Sequence, residues 1–358
     1  MASIPASQAR AQFTSDCIAV FMDGLPPTSF LRSFFPSEQA FVRYLSIQVE
    51  RNYESVAVDV MRGTEGNRNN FSLSTEKVID PPYYKEWFDL TSIDLYDRLF
   101  GSTAIDAGVY SQVVANVARR MVKLREKIER AYEIQCASVL QTGIVTLTNA
   151  TTINYGRTAA SLVANVAGNT WITGTTNPFD NMEDGCTFLR EVGKCGGDTF
   201  NAIIGKQAMR DLRANDIFKA RVNQNLNNNI DQVNAPQRQA LGNTYHGTLS
   251  CGSYKVNLFT YAQSYDLAGV ATPYWDSKKV TILPETPNFK LGFAAVPQLL
   301  KVGSGMPEDS ELMPLNAQAY VPFESVDNDN ETHKLGLKSA GIAIPVAVDQ
   351  MYTVQVVA

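Results

Sequence analysis

The stretch VYSQVVANVARRMVKLREKIERAYEIQCASVL, residues 109–140, decides how the chain is read. Within it Tyr110, Val114, Val117, Met121, Leu124, Ile128 and Ala131 recur at spacings of three and four, and neither Gly nor Pro intervenes before Gly143. That period places the apolar side chains on one face of a helix roughly 45 Å long at about 1.5 Å per residue. The other face carries Arg119, Arg120, Lys123, Arg125, Lys127 and Arg130 against Glu126, Glu129 and Glu133. Its basic excess reads in two ways: contact with nucleic acid or an acidic partner, or a solvated face with i,i+4 pairs such as Glu126–Arg130.

Upstream, residues 46–80 read as a long two-stranded β-ribbon. Val56, Val58 and Val60 alternate with Ala57, Asp59 and Met61, and Phe71 and Leu73 resume the alternation beyond the polar run Arg62–Asn70. Alternation of period two puts one set of side chains on one face of a strand. A lone two-stranded ribbon is marginal in water, so this one is expected to lie on something. Before it, residues 1–45 read as an extended arm, because the prolines Pro26, Pro27 and Pro36 forbid a long helix. Its aromatics Phe30, Phe34 and Phe35 need burial, either on a neighbouring chain or on the arm's own domain.

Downstream, residues 144–178 read as a loop-rich connection with short strands. Asn177-Pro178 can start a short helix over 179–192 that Gly193 ends. The spacing then predicts a strand at Phe200–Gly205, a helix at Lys206–Ala214, and a second helix from Ile217 capped by Asn215-Asp216. Strands follow at 242–249, 255–261, 280–283 and 290–295, with a final strand-like segment 335–358 broken by Pro345.

The chain has 358 residues, 44% hydrophobic and 19% charged, enough for two or three packed modules. Its formal net charge is -5, so no basic excess of the kind that grips phosphates dominates. The five cysteines, Cys17, Cys136, Cys186, Cys195 and Cys251, are scattered without a CxxC pair, and they read as reduced, buried thiols. The first residues show no basic segment followed by an apolar one, so no secretory signal is expected, and no run reaches the ~18 apolar residues of a membrane span.

The stock for catalysis is poor. Only His246 and His333 are present, and no nucleophile elbow, Walker loop or dinucleotide fingerprint occurs. Gly193-Lys194-Cys195-Gly196-Gly197-Asp198 lacks phosphate-cradling spacing and reads as a bend between modules. Ser325–Glu331 resembles a calcium loop but lacks its sixth-position Gly and twelfth-position Glu, which makes a solvated loop the better reading. The expectation is a chain with no catalytic, cofactor or metal site, and not an enzyme.

The order of these elements resembles the major capsid protein family of phage lambda. Phe30-Leu31-Arg32-Ser33-Phe34-Phe35 is similar to the family's first motif, and Val49-Glu50, Ala57, Arg62-Gly63 and Gly66 to its extended loop. Pro81-Pro82, Asp94-Leu95 and Arg98-Leu99-Phe100-Gly101 resemble the passage into its spine helix, and Asn154-Tyr155-Gly156-Arg157 and Trp171 the positions after it. Ile203-Ile204-Gly205 with Ala208 and Leu212, the Gly242, Gly247, Gly252, Tyr261, Tyr265, Gly269 series, and Lys338-Ser339-Ala340 through Ile344-Pro345-Val346 complete the match. Leu291-Gly292-Phe293 and the bulky Tyr274-Trp275 depart from the family pattern.

The resemblance implies an α+β subunit of the Hong Kong-97-type capsid fold. The expected segments are an N-terminal arm (1–45), an extended β-hairpin loop (46–82), a peripheral domain with the spine helix (83–194), an axial domain (195–320) and C-terminal strands returning to the peripheral domain (321–358). It implies a homo-oligomer of hexamers and pentamers, assembled in the bacterial host cytoplasm with a scaffold and portal and located in the virion. Such a shell encloses double-stranded DNA through weak contacts, and a decoration protein can join it. Candidate intersubunit contacts are Phe30, Phe34 and Phe35 on the arm and Arg62, Glu65, Arg68 and Phe71 on the ribbon. The competing readings are an encapsulin-type cargo shell of the same fold and an ordinary α/β enzyme.

Overall fold

The computed structural model describes residues 29–49, 75–91, 107–147, 152–164, 170–172, 176–225, 232–296, 318–327 and 332–357. The first strands are β1 (Ser37–Gln39), β2 (Leu45–Val49), β3 (Thr75–Ile79) and β4 (Tyr83–Thr91), followed by helix α1 (Ala107–Thr142). Then come β5 (Ile144–Thr146), β6 (Thr152–Asn154), β7 (Leu162–Ala164), α2 (Pro178–Glu191), β8 (Thr199–Ile204), α3 (Lys206–Ala214) and α4 (Asp216–Asn225). The remaining strands are β9 (Gln232–Arg238), β10 (Asn243–Cys251), β11 (Tyr254–Tyr261), β12 (Ser264–Leu267), β13 (Val270–Pro273), β14 (Lys279–Pro284), β15 (Phe289–Phe293), β16 (Val321–Asp327), β17 (Thr332–Pro345) and β18 (Tyr352–Gln355).

Two sheets organise them. The first is built on β17, whose first part pairs with both β16 and β4 and whose last part pairs with β15. Helix α1 packs along β17. Met121, Ile128, Tyr132, Cys136 and Leu140 meet Phe293, Leu337 and Ile342 in one cluster, while Val114 and Val117 meet Leu90 and Leu335 in another. The helix has 36 residues, about 54 Å, and stops where Gly143 turns left-handed at φ +71 and its amide donates to the Val139 carbonyl.

The second sheet has seven strands in the order β7-β18-β14-β8-β11-β10-β9. Central β8 is buried on both sides: Phe200, Ala202 and Ile204 face one cluster and Ile203 the other. One face is covered by α2, α3 and α4 through Phe179, Met182, Cys186, Leu189, Ala208, Leu212 and Phe218. Local chemistry starts these helices where the sequence predicts. Asn177 Oδ1 accepts from the Phe179 amide with Pro178 in the first turn, and Asn215 Oδ1 accepts from the Phe218 amide at 3.1 Å.

Helix α2 packs on the seven-stranded sheet. Strand β15 pairs with β17 in the first sheet. Strand β18 pairs with β14 and β7 in the seven-stranded sheet. The chain crosses between the layers several times, and such crossings leave no mark on local periodicity.

Candidate functional site: the docked arm and the ribbon root

Residues 29–35 of the arm hold a 3-10 turn over Arg32–Phe34 that docks on α1 and on strands of both sheets. The Phe30 ring lies 5.3 Å from Phe34, 5.6 Å from Phe259 and 5.7 Å from Tyr261, while Phe35 stacks on Phe289 at 5.1 Å. Phe30 and Phe35 are buried and Phe34 is partly buried, all within one chain. These rings pack within their own chain, and β1 extends the dock by pairing in parallel with β15.

The anchor of this dock is a pair of carboxylates that the sequence placed on the solvated face of the helix. Glu129 and Glu133 are instead buried, at 5% and 1% exposure. Glu133 accepts hydrogen bonds from the Ser29 hydroxyl and from the Leu31 and Arg32 amides, the two amides at 3.0 Å each. It thereby caps the 3-10 turn from outside, as an N-cap carboxylate does from within. Burial pushes the Glu133 carboxyl above the usual range, against the opposing pull of those donors and of Tyr261. Glu129, one turn earlier, ion-pairs with Arg32 and accepts from the Tyr320 hydroxyl. Burial draws the Arg32 guanidinium down, but Glu129 and Tyr320 outweigh it and hold the value above its ordinary one. The misplacement has a physical origin: periodicity marks apolar faces, whereas these carboxylates enter the core because segments a hundred or more residues away in sequence, with Ser29, Leu31 and Arg32 on one side and Tyr320 on the other, supply their donors.

The basic excess of α1 is largely answered inside the chain. Arg125 is buried, Arg120 lies over the Phe88 ring at 5.8 Å, Lys127 meets Glu86 at 2.7 Å, and Arg130 meets Glu126 at 3.7 Å. Only Arg119 and Lys123 of the six stay exposed without an acidic partner among the described residues.

The ribbon is seen at its root. Strands β2 and β3 pair antiparallel from Leu45–Ile79 to Val49–Thr75. Leu45 and Ile79 face the core, while Val78 is 68% exposed on the other side. Just before β2, Phe41, Val42 and Tyr44 are also exposed, at 75%, 54% and 50%. Large exposed apolar side chains at the root of a ribbon suit contact with another chain. Arg62, Glu65, Arg68 and Phe71 lie outside the described residues.

Among the described residues no group of three metal-ligating side chains exists, and no helix is long and apolar enough to cross a membrane. Cys136, Cys186, Cys195 and Cys251 are buried thiols, with Cys195 pushed up to about 11 by burial. His246 Nδ1 faces Arg213 Nη2 at 2.9 Å and its Nε2 faces the Thr260 hydroxyl at 2.7 Å, while His333 sits 3.5 Å from Glu324 across two strands. Burial, then Arg213, lowers His246 to about 4, so it is neutral at pH 7.

A docked arm, a ribbon root, a long helix on one sheet and a second sheet with its own helices together make the Hong Kong-97-type capsid fold. The phage major capsid protein E family model matches residues 26–356, and the chain belongs to that family. It is similar to a prophage capsid protein of Escherichia coli CFT073, at 14% identity and TM-score 0.62 over 100% of both chains. It is also similar to a phage-related protein of Bordetella bronchiseptica, at 11% identity and TM-score 0.50 over 95% of both. Among curated protein sequences none matches it. The chain is accordingly a structural shell subunit, with its function in surfaces that meet other copies.

Proposed function

We propose that this subunit builds the hexamers and pentamers of an icosahedral head that encloses double-stranded DNA, and that it acts without catalysis. A scaffold and portal take part in assembly in the host cytoplasm, and a decoration protein can bind the finished virion. The observation that supports this reading, beside the family match, is the ribbon root. Two paired strands leave the core with apolar Phe41, Val42, Tyr44 and Val78 exposed beside them, a surface suited to a second copy. The chain between those strands, with Arg62, Glu65, Arg68 and Phe71, crosses onto an adjacent subunit. Because Phe30 and Phe35 are filled by their own chain, Phe34 is the arm aromatic with surface left to share.

Deleting Gly63–Asn70 tests the proposal. The subunit is expected to stay soluble and folded by circular dichroism, while electron microscopy shows few or no closed shells. Normal shells from the deletion protein would sink the role of the ribbon. Particles that enclose a protein cargo and no DNA would favour the encapsulin-type reading.

A further inference from the structure

A second basic cluster, away from the spine helix, has no acid to answer it among the described residues. Lys206, Arg210 and Arg213 fall at i, i+4 and i+7 on α3, all exposed, and line one side of a groove of about 310 Å³ closed by Met209, His246 and Thr260. None of the three cations forms an ion pair with a carboxylate among the described residues, and no acidic side chain lines the groove. Asp211, on the same helix, is buried on another face and accepts from Gln207.

The arrangement costs the helix stability. Lys206 stands at the first residue of α3, where the positive end of the helix dipole repels a cation, and no side chain caps that end. Lys206 and Arg210 are like charges one turn apart, which is also unfavourable. Arg213 is held in place by His246, whose Nδ1 accepts from the guanidinium while Nε2 faces Thr260. The imidazole, lowered to about 4 by burial and by Arg213, is neutral, so it positions the guanidinium without cancelling its charge. Positioned, uncompensated cations in a chain of net charge -5 have the features of an anion site. On the spine helix, by contrast, most cations already have partners.

We propose that the Lys206–Arg210–Arg213 face of α3 contacts the phosphodiester backbone of duplex DNA. This rests on the reading of the shell as a DNA container and deepens it. The three charges span about 10 Å along the helix, a length that covers neighbouring phosphates of one strand. Three cations per subunit give a weak contact with no base specificity, which lets enclosed DNA move.

The test uses the full-length soluble subunit and a fluorescent 30-base-pair duplex, with anisotropy read between 50 and 200 mM NaCl. Each phosphate contact contributes about 0.9 to the slope of log affinity against log salt, so Lys206→Ala/Arg210→Ala should flatten the slope by about 2. Affinity at 50 mM should fall tenfold or more, and Lys206→Arg/Arg210→Lys should restore both. An unchanged slope in the alanine variant overturns the proposal. So does tighter binding of a polyglutamate peptide than of the duplex, lost in the same variant, since the site would then serve an acidic protein. Electron microscopy of the same variant separates this inference from the shell reading. Shells that form normally but hold less salt-labile DNA support it. Shells that fail while DNA binding is unchanged show a subunit contact instead and overturn it.

Discussion

Replacing Glu133 by Ala should release the arm from the spine helix. In the native subunit this carboxylate satisfies the amides of Leu31 and Arg32 and the hydroxyl of Ser29, and Leu31 is fully buried. A buried donor left without an acceptor costs about 1–3 kcal/mol, and two amides lose theirs together. Against that stands the relief of an expensive buried charge, which the upward shift of the Glu133 carboxyl reports. The balance is a loss of about 2–4 kcal/mol. Glu133→Gln keeps the volume and one acceptor oxygen, so it should lose roughly half as much. Urea unfolding of the soluble subunit would show the midpoint fall with an unchanged slope, and hydrogen exchange should quicken at Leu31 and Arg32 before it does at β8. A Glu133→Ala subunit within about 0.5 kcal/mol of the parent, with native exchange at those two amides, would refute the reasoning.

Two pH dependences of opposite sign should be separable. Glu133 has a raised folded value, so the stability linked to its proton is fully present below the unfolded value near 4.5 and is lost as pH rises through the folded value; Glu133→Gln removes that slope in urea titrations. His246 has a depressed folded value near 4 against 6.5 unfolded, so its contribution is present above pH 6.5 and is lost as pH falls towards 4. After allowance for screening by solvent this amounts to about 1 kcal/mol, and melting curves of His246→Gln between pH 4 and 7 should be flatter than the parent's. Asn215→Ala should lower stability by about 1–2 kcal/mol by urea unfolding, since it uncaps α4 at the Phe218 amide and frees the Trp171 carbonyl, which now accepts from Asn215 Nδ2 at 2.8 Å.

Some of the fold was legible in the chain because its causes are local. The three-and-four spacing of Val114, Val117, Met121 and Ile128 is the repeat of an α-helix, and helix α1 extends only two residues past each end of the stretch it marks. Asn177-Pro178, Asn215 and Gly143 carry their signals in their own side chains or in the lack of one, and the structure uses each where it was expected. Strand β4 was less legible. Tyr84, Phe88 and Leu90 alternate correctly, but Tyr83 and Trp87 put aromatics on the outer face as well, which blurs the pattern. Strand β9 carries Pro236, which removes a ladder donor and is tolerated because β9 ends its sheet.

By itself, then, the sequence determined the spine helix, the helix caps and, through the order of motifs, the capsid family. Only the tertiary structure decided that Glu129 and Glu133 face inward to hold the arm, that most spine-helix cations find partners in the chain, and that those on α3 meet no carboxylate among the described residues. The physical reason is the range of the forces involved. Periodicity, capping and turn preference act within a few residues, and they leave a pattern there. The ionisation and burial of a charged side chain depend on groups that only folding brings near it, as Ser29 and Arg32 are brought to a helix about a hundred residues on.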